Sequence, residues 1–237
     1  MSAAPAGPKP QGHRARGRRI ALFGGTFDPI HAGHLAVARA AQRRFHFHEL
    51  HFIPAAHPPH KPANELLPFA HRFAMVALAC AGHPRFVPSL AESGVDGDDA
   101  GASYSVDTVR RFQSEVCRPA DRLYFLLGAD SFLEIATWKD YRTLLGLCDF
   151  VVASRPGFPS NALQRAIPPE LLAPEPHDSR PKRGAIRLRH TTVHLLDTVA
   201  SRVSATAVRQ RLDRGQSVHG LVPRGVEEYI IKQALYR

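Results

Sequence analysis

The stretch FGGTFDPIHAGHLAVARAAQ, residues 23–42, decides how the rest of the chain is read. The apolar run RIALFGG (19–25) ends in two glycines, and HLAVARAAQRRF (34–45) follows with helical spacing and good helix formers. A short strand thus runs into a turn that opens a helix, with His31, Gly33 and His34 at the junction. A helix N-terminus presents unpaired backbone N–H groups and a partial positive charge, which suits phosphate. Gly24 and Gly25 carry no side chain, so a ligand can approach their backbone, and Gly33 leaves room at the helix start. His31 and His34 add ring N–H donors. The segment contains neither GxGxxG nor GxxxxGK[ST], so the usual dinucleotide fingerprint and the P-loop are both excluded. A metal held by the two histidines would lack HExxH, a cysteine pair and an evident third ligand. Capping alone would leave Thr26 and the Asp28-Pro29 turn, converging on the same glycines, without a purpose.

Outward from this stretch, strands and helices alternate. ELHFIPA (49–55), RLYFLLGAD (122–130), DFVVASRPG (149–157) and TTVHLLDT (191–198) read as strands, and 85–92 has room for a short one. Helical spacing covers 69–81, 104–116, 131–147 with a break near Thr137, 162–167, 204–215 and 226–236. Residues 168–184 are proline-rich and read as irregular. The alternation predicts an α/β fold: a Rossmann-like parallel sheet with helices on both faces. In such sheets ligands bind beyond the carboxyl ends of the strands. Three loops with unusual chemistry leave strand ends there: GGTFDPIHAGH, LGADSF and VASRPG.

Composition narrows the class. The chain of 237 residues has a net charge of +10, and half of that excess lies in residues 1–19, where Lys9, Arg14, Arg16, Arg18 and Arg19 meet no acid. The expected organisation is a disordered basic tail, 1–18, followed by a single α/β domain, 19–237. The tail could touch RNA or DNA, but no zinc finger, RNP aromatic pattern or GXXG clamp accompanies it, which argues against nucleic acid as a partner. No run approaches the roughly 18 apolar residues that span a membrane. Cys80, Cys117 and Cys148 form no CxxC pair and read as buried thiols of a reducing compartment. The absence of a secretory hydrophobic segment points the same way, so the expected location is cytoplasmic. Nothing in the sequence fixes an oligomeric state.

Six motifs then occur in order: GGTFDPIHAGH (24–34), FIPA…PPHK (52–61), SYS.DT (103–108), LGADSF…W (127–138), SRPG (154–157) and VSATAVRQRL (203–212). Together they resemble the bacterial nicotinate mononucleotide adenylyltransferases, a branch of the HxGH nucleotidyltransferases. The resemblance runs from Arg19 to Arg237. It implies transfer of the adenylyl group of ATP to nicotinate mononucleotide, releasing pyrophosphate, with Mg²⁺ accompanying ATP. By resemblance, His31 and His34 contact the ATP phosphates, and Arg209 reaches phosphate with a permanent charge. Gly24, Gly25, Thr26 and Phe27 would line the nucleotide cleft, largely through backbone. Asp130 would accept from a ribose hydroxyl, although capping the helix at 131 is its plain alternative. Ser204 and Thr206 would open a second anion site at a helix start. Lys61, Ser105, Trp138 and Arg155 would serve the mononucleotide, with the pyridine ring on Trp138. No residue is assigned to a metal.

The chain departs from the family pattern in three places that bear on the pyridine. Glu92 is followed by the acidic segment SGVDGDDAGA without the usual arginine, and Lys139 stands where relatives often have an aromatic. Ser105 replaces a threonine, keeping the hydroxyl and losing a methyl. Nicotinamide mononucleotide and phosphopantetheine are the alternative acceptors.

Overall fold

In the computed structural model the described residues are 17–58, 66–93, 104–154, 157–174, 184–197, 201 and 203–237. The expectations for Lys61, Arg155, the segment 94–103 and most of the basic tail lie outside them.

The strands are β1 (Arg19–Gly25), β2 (Glu49–Pro54), β3 (Phe86–Pro88), β4 (Arg122–Gly128), β5 (Asp149–Ala153), β6 (Ala185–Arg187) and β7 (Thr192–Leu196). They form one sheet in the order β3-β2-β1-β4-β5-β7-β6. All pairings are parallel except β6 with β7. The strand order reverses between β1 and β4, so their carboxyl ends open a crevice there. The helices are α1 (Ala32–Phe45), α2 (Phe69–Cys80), α3 (Ser105–Glu115), α4 (Ala129–Leu133), α5 (Tyr141–Leu147), α6 (Ser160–Arg165), α7 (Ala205–Asp213) and α8 (Arg224–Lys232).

The period-two geometry of β1 sorts the core into two layers. Ala21 and Phe23 face the side packed by α1, α2, α7 and α8, through Ala38, Met75, Val208 and Ile230. Ile20 and Leu22 face the side packed by α3, α4 and α5, through Val109, Phe132 and Leu144. Both β1 and β4 are buried on two faces, which is why each reads as a continuous apolar run.

The helix expected over 131–147 with a break near Thr137 is α4, a 3₁₀ turn at Ile135–Thr137 and α5, so the break falls where it was expected. Two expectations are corrected. The antiparallel edge strand β6 follows the segment read as irregular; three residues of mixed exposure carry too little pattern to show in the sequence. Arg18 belongs to the fold and not to a tail. Its guanidinium donates to Asp121 at 2.8 and 3.0 Å, to Glu49 at 2.9 Å and to the Val116 carbonyl at 2.8 Å. Asp121 also accepts from the Arg18 amide at 2.7 Å, which sets the chain direction entering β1.

The cysteines are free thiols. Cys80 and Cys148 are buried, and burial pushes Cys80 up to about 12, so it is an inert core group. No helix among the described residues is long and apolar enough to cross a membrane.

Candidate active site

The turn after β1 is built from the inside. Phe27 has a positive φ of 49°, which throws its ring back under β1. The ring lies edge-on to His34 at 5.0 Å and to Phe23 at 5.6 Å. A Cβ on Gly25 would sit 3.1–3.3 Å from that ring, so the glycine makes room for Phe27 as well as for a ligand. Gly33 has the same double use: a Cβ there would lie 2.9 Å from the Ser201 hydroxyl and 3.0 Å from the His31 ring.

His31 is the N-cap of α1, and the two histidine rings stack with centroids 3.7 Å apart. The His31 amide donates to His34 Nδ1 at 3.2 Å, and the Ala32 amide donates to the Leu221 carbonyl at 2.8 Å. His34 therefore caps the start of α1 through its Nδ1. His31 Nδ1 is buried without a hydrogen-bond partner.

Burial holds the His31 ring down to about 4. Burial, and then the charge of His31, hold His34 well below its ordinary 6.5. Both rings are neutral at pH 7 in the ligand-free protein. The unfolded chain takes up protons on these rings near 6.5, and the folded chain does so only at lower pH. The stability linked to the neutral pair is complete above about 6.5 and is lost as the pH falls toward 4. For His31 alone the shift corresponds to roughly 3 kcal/mol. Denaturant midpoints of the ligand-free protein at pH 7 and pH 4.5 should show a smaller loss for His31→Ala than for the wild type. An equal loss would mean the ring titrates as it does in the unfolded chain.

Two cavities open over the crevice. The first, about 660 Å³, is walled by His31, His34, Gly33, Asp130, Ser154 and Ser201, among others. The second, about 310 Å³, is walled by Thr26, Glu92, Tyr104, Ser105, Trp138 and Lys139, among others. Gly24, Gly25, Gly128 and Ser131 line both. These four stand at the carboxyl ends of β1 and β4 and at the start of α4, so the cavities meet where the strand order reverses.

The expected residues divide accordingly. His31, His34 and Asp130 face the first cavity, Thr26, Ser105 and Trp138 the second, and Gly24 and Gly25 both. Trp138 is half-buried, its ring edge-on to Phe125 at 6.1 Å. Asp130 is the second residue of α4, whose N-cap is Gly128, so it does not cap that helix. Phe27 lines neither cavity, because its ring is spent on the layer beneath β1. Ser204, Thr206 and Arg209 line neither cavity as well. Ser204 caps α7 by accepting from the Ala207 amide at 3.2 Å. Arg209 donates to the Asp28 carbonyl at 2.7 Å.

Other wall residues were not singled out from sequence. Ser131 and Ser154 sit inside the LGADSF and SRPG motifs, where the glycine, acid and arginine draw the attention. Ser201 precedes the VSATAVR motif and carries no signal of its own. Glu92 accepts from Thr108 Oγ1 at 2.6 Å. Lys139 Nζ lies 3.1 Å from Asp107 and 4.2 Å from the centre of the Tyr104 ring, so an ammonium stands at the wall of the second cavity.

Arg72, deep in α2, was also passed over. It is 1% exposed and donates to the carbonyls of Thr26, Ala55, Ala56 and Leu67 at 2.7–3.2 Å. A single guanidinium thereby ties the turn after β1 to the loop after β2. A lone charge in the apolar helix FAHRFAMVALAC was the available signal.

Comparison with known proteins agrees with this geometry. The cytidylyltransferase-like family pattern matches residues 22–211. A protein of Moorella thermoacetica named "Probable nicotinate-nucleotide adenylyltransferase" is 41% identical over 219 residues, covering 92% of each chain. One of the same name from Geobacter sp. strain M21 is 40% identical over 221 residues, covering 92% of this chain and 98% of the other. A solved structure of the Plasmodium falciparum nicotinic acid mononucleotide adenylyltransferase, complexed with NaAD, superposes with a TM-score of 0.65 at 18% identity, covering 92% of this chain and 97% of that one. That likeness carries the fold. With the sequence identity spanning nearly the whole chain, this protein belongs to the nicotinate-nucleotide adenylyltransferase family.

Proposed function

We propose that the enzyme transfers the adenylyl group of ATP to nicotinate mononucleotide, giving nicotinate adenine dinucleotide and pyrophosphate. The observation that carries the reading is the pair of cavities meeting at Gly24, Gly25, Gly128 and Ser131, with His31 and His34 on one side only. ATP occupies the histidine side and the mononucleotide the Trp138 side. The mononucleotide 5′-phosphate attacks the α-phosphorus of ATP, a P–O bond forms, and the bond from that phosphorus to the bridging oxygen breaks. No proton has to be removed, because a phosphate monoester is largely dianionic at neutral pH, its second pKa being about 6. The chain's task is alignment and charge stabilisation. Bound polyphosphate favours protonation of the His31 ring, adding positive charge to a donor where pyrophosphate develops charge, while His34, whose Nδ1 accepts from the His31 amide, donates through Nε2 as a neutral ring.

Mg²⁺ is proposed to accompany ATP and to neutralise charge on the departing pyrophosphate. Among the described residues no group of three or more His, Cys, Asp or Glu side chains could hold a metal. The first cavity offers one carboxylate, Asp130, and several hydroxyls. That donor set fits an ion bound mainly by phosphate oxygens and water.

The second cavity favours an acidic pyridine. Ser105 opens α3, whose first-turn amides and partial positive charge suit a carboxylate, and Lys139 adds an ammonium on the same wall. Nicotinate mononucleotide should therefore exceed nicotinamide mononucleotide in kcat/KM by more than about tenfold. Pyrophosphate release with each mononucleotide checks this. Equal rates would refute the acceptor preference, and release with neither would refute the reaction.

A further inference from the structure

The turn that carries the histidines is held from behind by the last part of the chain. Tyr236, the penultimate residue of the sequence, donates its hydroxyl to Asp28 Oδ1 at 2.6 Å across 208 positions. Asp28 is 2% exposed, and its other oxygen, Oδ2, is buried without a hydrogen-bond partner. Tyr236 is thus the hydrogen-bond donor of a buried carboxyl group that lies three residues before His31. Arg209, from α7, holds the Asp28 carbonyl at 2.7 Å, and the Leu221 carbonyl holds the Ala32 amide at 2.8 Å.

Tyr236 arrives at this point in a defined pose. It follows α8 in a left-handed conformation, with φ 63°, while the preceding Leu235 amide donates to the Ile230 carbonyl and its side chain is buried in the core. Helix α8 packs on α2, where His71 Nδ1 and the Tyr229 hydroxyl are hydrogen-bonded at 2.9 Å. Burial first, and then the bond to Asp28, raise the Tyr236 phenol above its ordinary range, so it remains a donor at any working pH. The α2 side contributes charge as well, since the buried Arg72 guanidinium senses both Asp28 and Tyr236.

We infer that Tyr236 is a positioning residue for adenylyl transfer: its bond to Asp28 fixes the turn at residues 26–31, and through it the His31 ring, in the place the leaving pyrophosphate requires. Tyr236 lines neither cavity and touches neither substrate site, so its effect falls on the chemical step and not on ground-state binding. The inference rests on the adenylyl-transfer reading above, and wild-type turnover tests that reading separately.

The test is Tyr236→Phe in the full chain, assayed for pyrophosphate release at 25 °C with both substrates varied. Loss of one hydroxyl should lower kcat about tenfold and leave both KM values within about twofold. A thermal melt run in parallel gives the folded fraction. A double-mutant cycle with Asp28→Asn adds a second, independent readout: the two changes act on one bond, so their effects on kcat should be strongly non-additive. A kcat within twofold of wild type, a loss matching only the unfolded fraction, or additive effects in the cycle would overturn the inference. If the wild type itself released no pyrophosphate, the reaction and not the role of Tyr236 would be at fault.

Discussion

Replacing His31 by alanine is expected to lower kcat by about 10²–10³-fold, with a smaller change in KM for ATP. The magnitude corresponds to roughly 2.7–4 kcal/mol of transition-state stabilisation, typical of removing one prearranged donor from a site where charge develops. The geometry justifies the upper part of that range. His31 is 7% exposed and stacked on His34, so water cannot readily fill its role. His34→Ala should be at least as damaging. Its Nδ1 accepts from the His31 amide, and its ring supports Phe27, so its loss disturbs both the cap of α1 and the layer beneath β1. The two losses should be far from additive, because either ring positions the other. The measurement is single-turnover pyrophosphate release at saturating ATP, with circular dichroism to verify the fold. A kcat of the His31 variant within threefold of the wild type would refute the assignment. Replacing His31 also removes a buried, unpartnered nitrogen, so the His31 variant should tolerate acid better in the ligand-free state.

The largest effect on stability is expected at Arg72. Arg72→Met removes a charge that is 1% exposed and orphans the carbonyls of Thr26, Ala55, Ala56 and Leu67. Removing one side of a buried charged network costs about 3–5 kcal/mol. For a chain of this size that is on the order of 10 °C in melting temperature. Arg72→Lys should recover little, because an ammonium cannot span four carbonyls distributed over two loops. Thr26 and Ala55 both line the second cavity, so residual activity should show a raised KM for the mononucleotide. Calorimetric melts of the two variants decide this. A loss below about 1 kcal/mol, or full rescue by lysine, would show that water or another side chain replaces the guanidinium.

The sheet and the phosphate turn were readable in the sequence because their cause is local. A strand buried on two faces is a continuous apolar run, and β1, β4 and β5 each present one. The glycines, the histidines three apart and the helix formers after them fix the turn without help from distant residues. Features made by long-range contacts were not readable. Arg18 looked like one more charge in a basic tail, and its acceptors Glu49 and Asp121 are 31 and 103 positions away. Arg72 drew no reading of its own, and three of its four carbonyls lie 16–46 positions away. Phe27 was expected at the cleft largely through its backbone, and the left-handed conformation that turns its ring inward was not readable. Arg209 was expected to reach phosphate, and its bond to the Asp28 carbonyl, 181 positions away, was not readable.

The junction of the two cavities also divides the walls by origin. The histidine side draws on α1, the ends of β4 and β5, Ser201 and Val203, and the tryptophan side on the end of β2, α3, Glu134, Thr137, Trp138 and Lys139. Three glycines and Ser131 are all they share. With ATP on the histidine side, as proposed, substitutions on the tryptophan wall would alter the acceptor's surroundings and leave the ATP wall intact. The fold works as a fixed donor station joined to a replaceable acceptor station, and the seam between them, nearly bare of side chains, is the part that must not change.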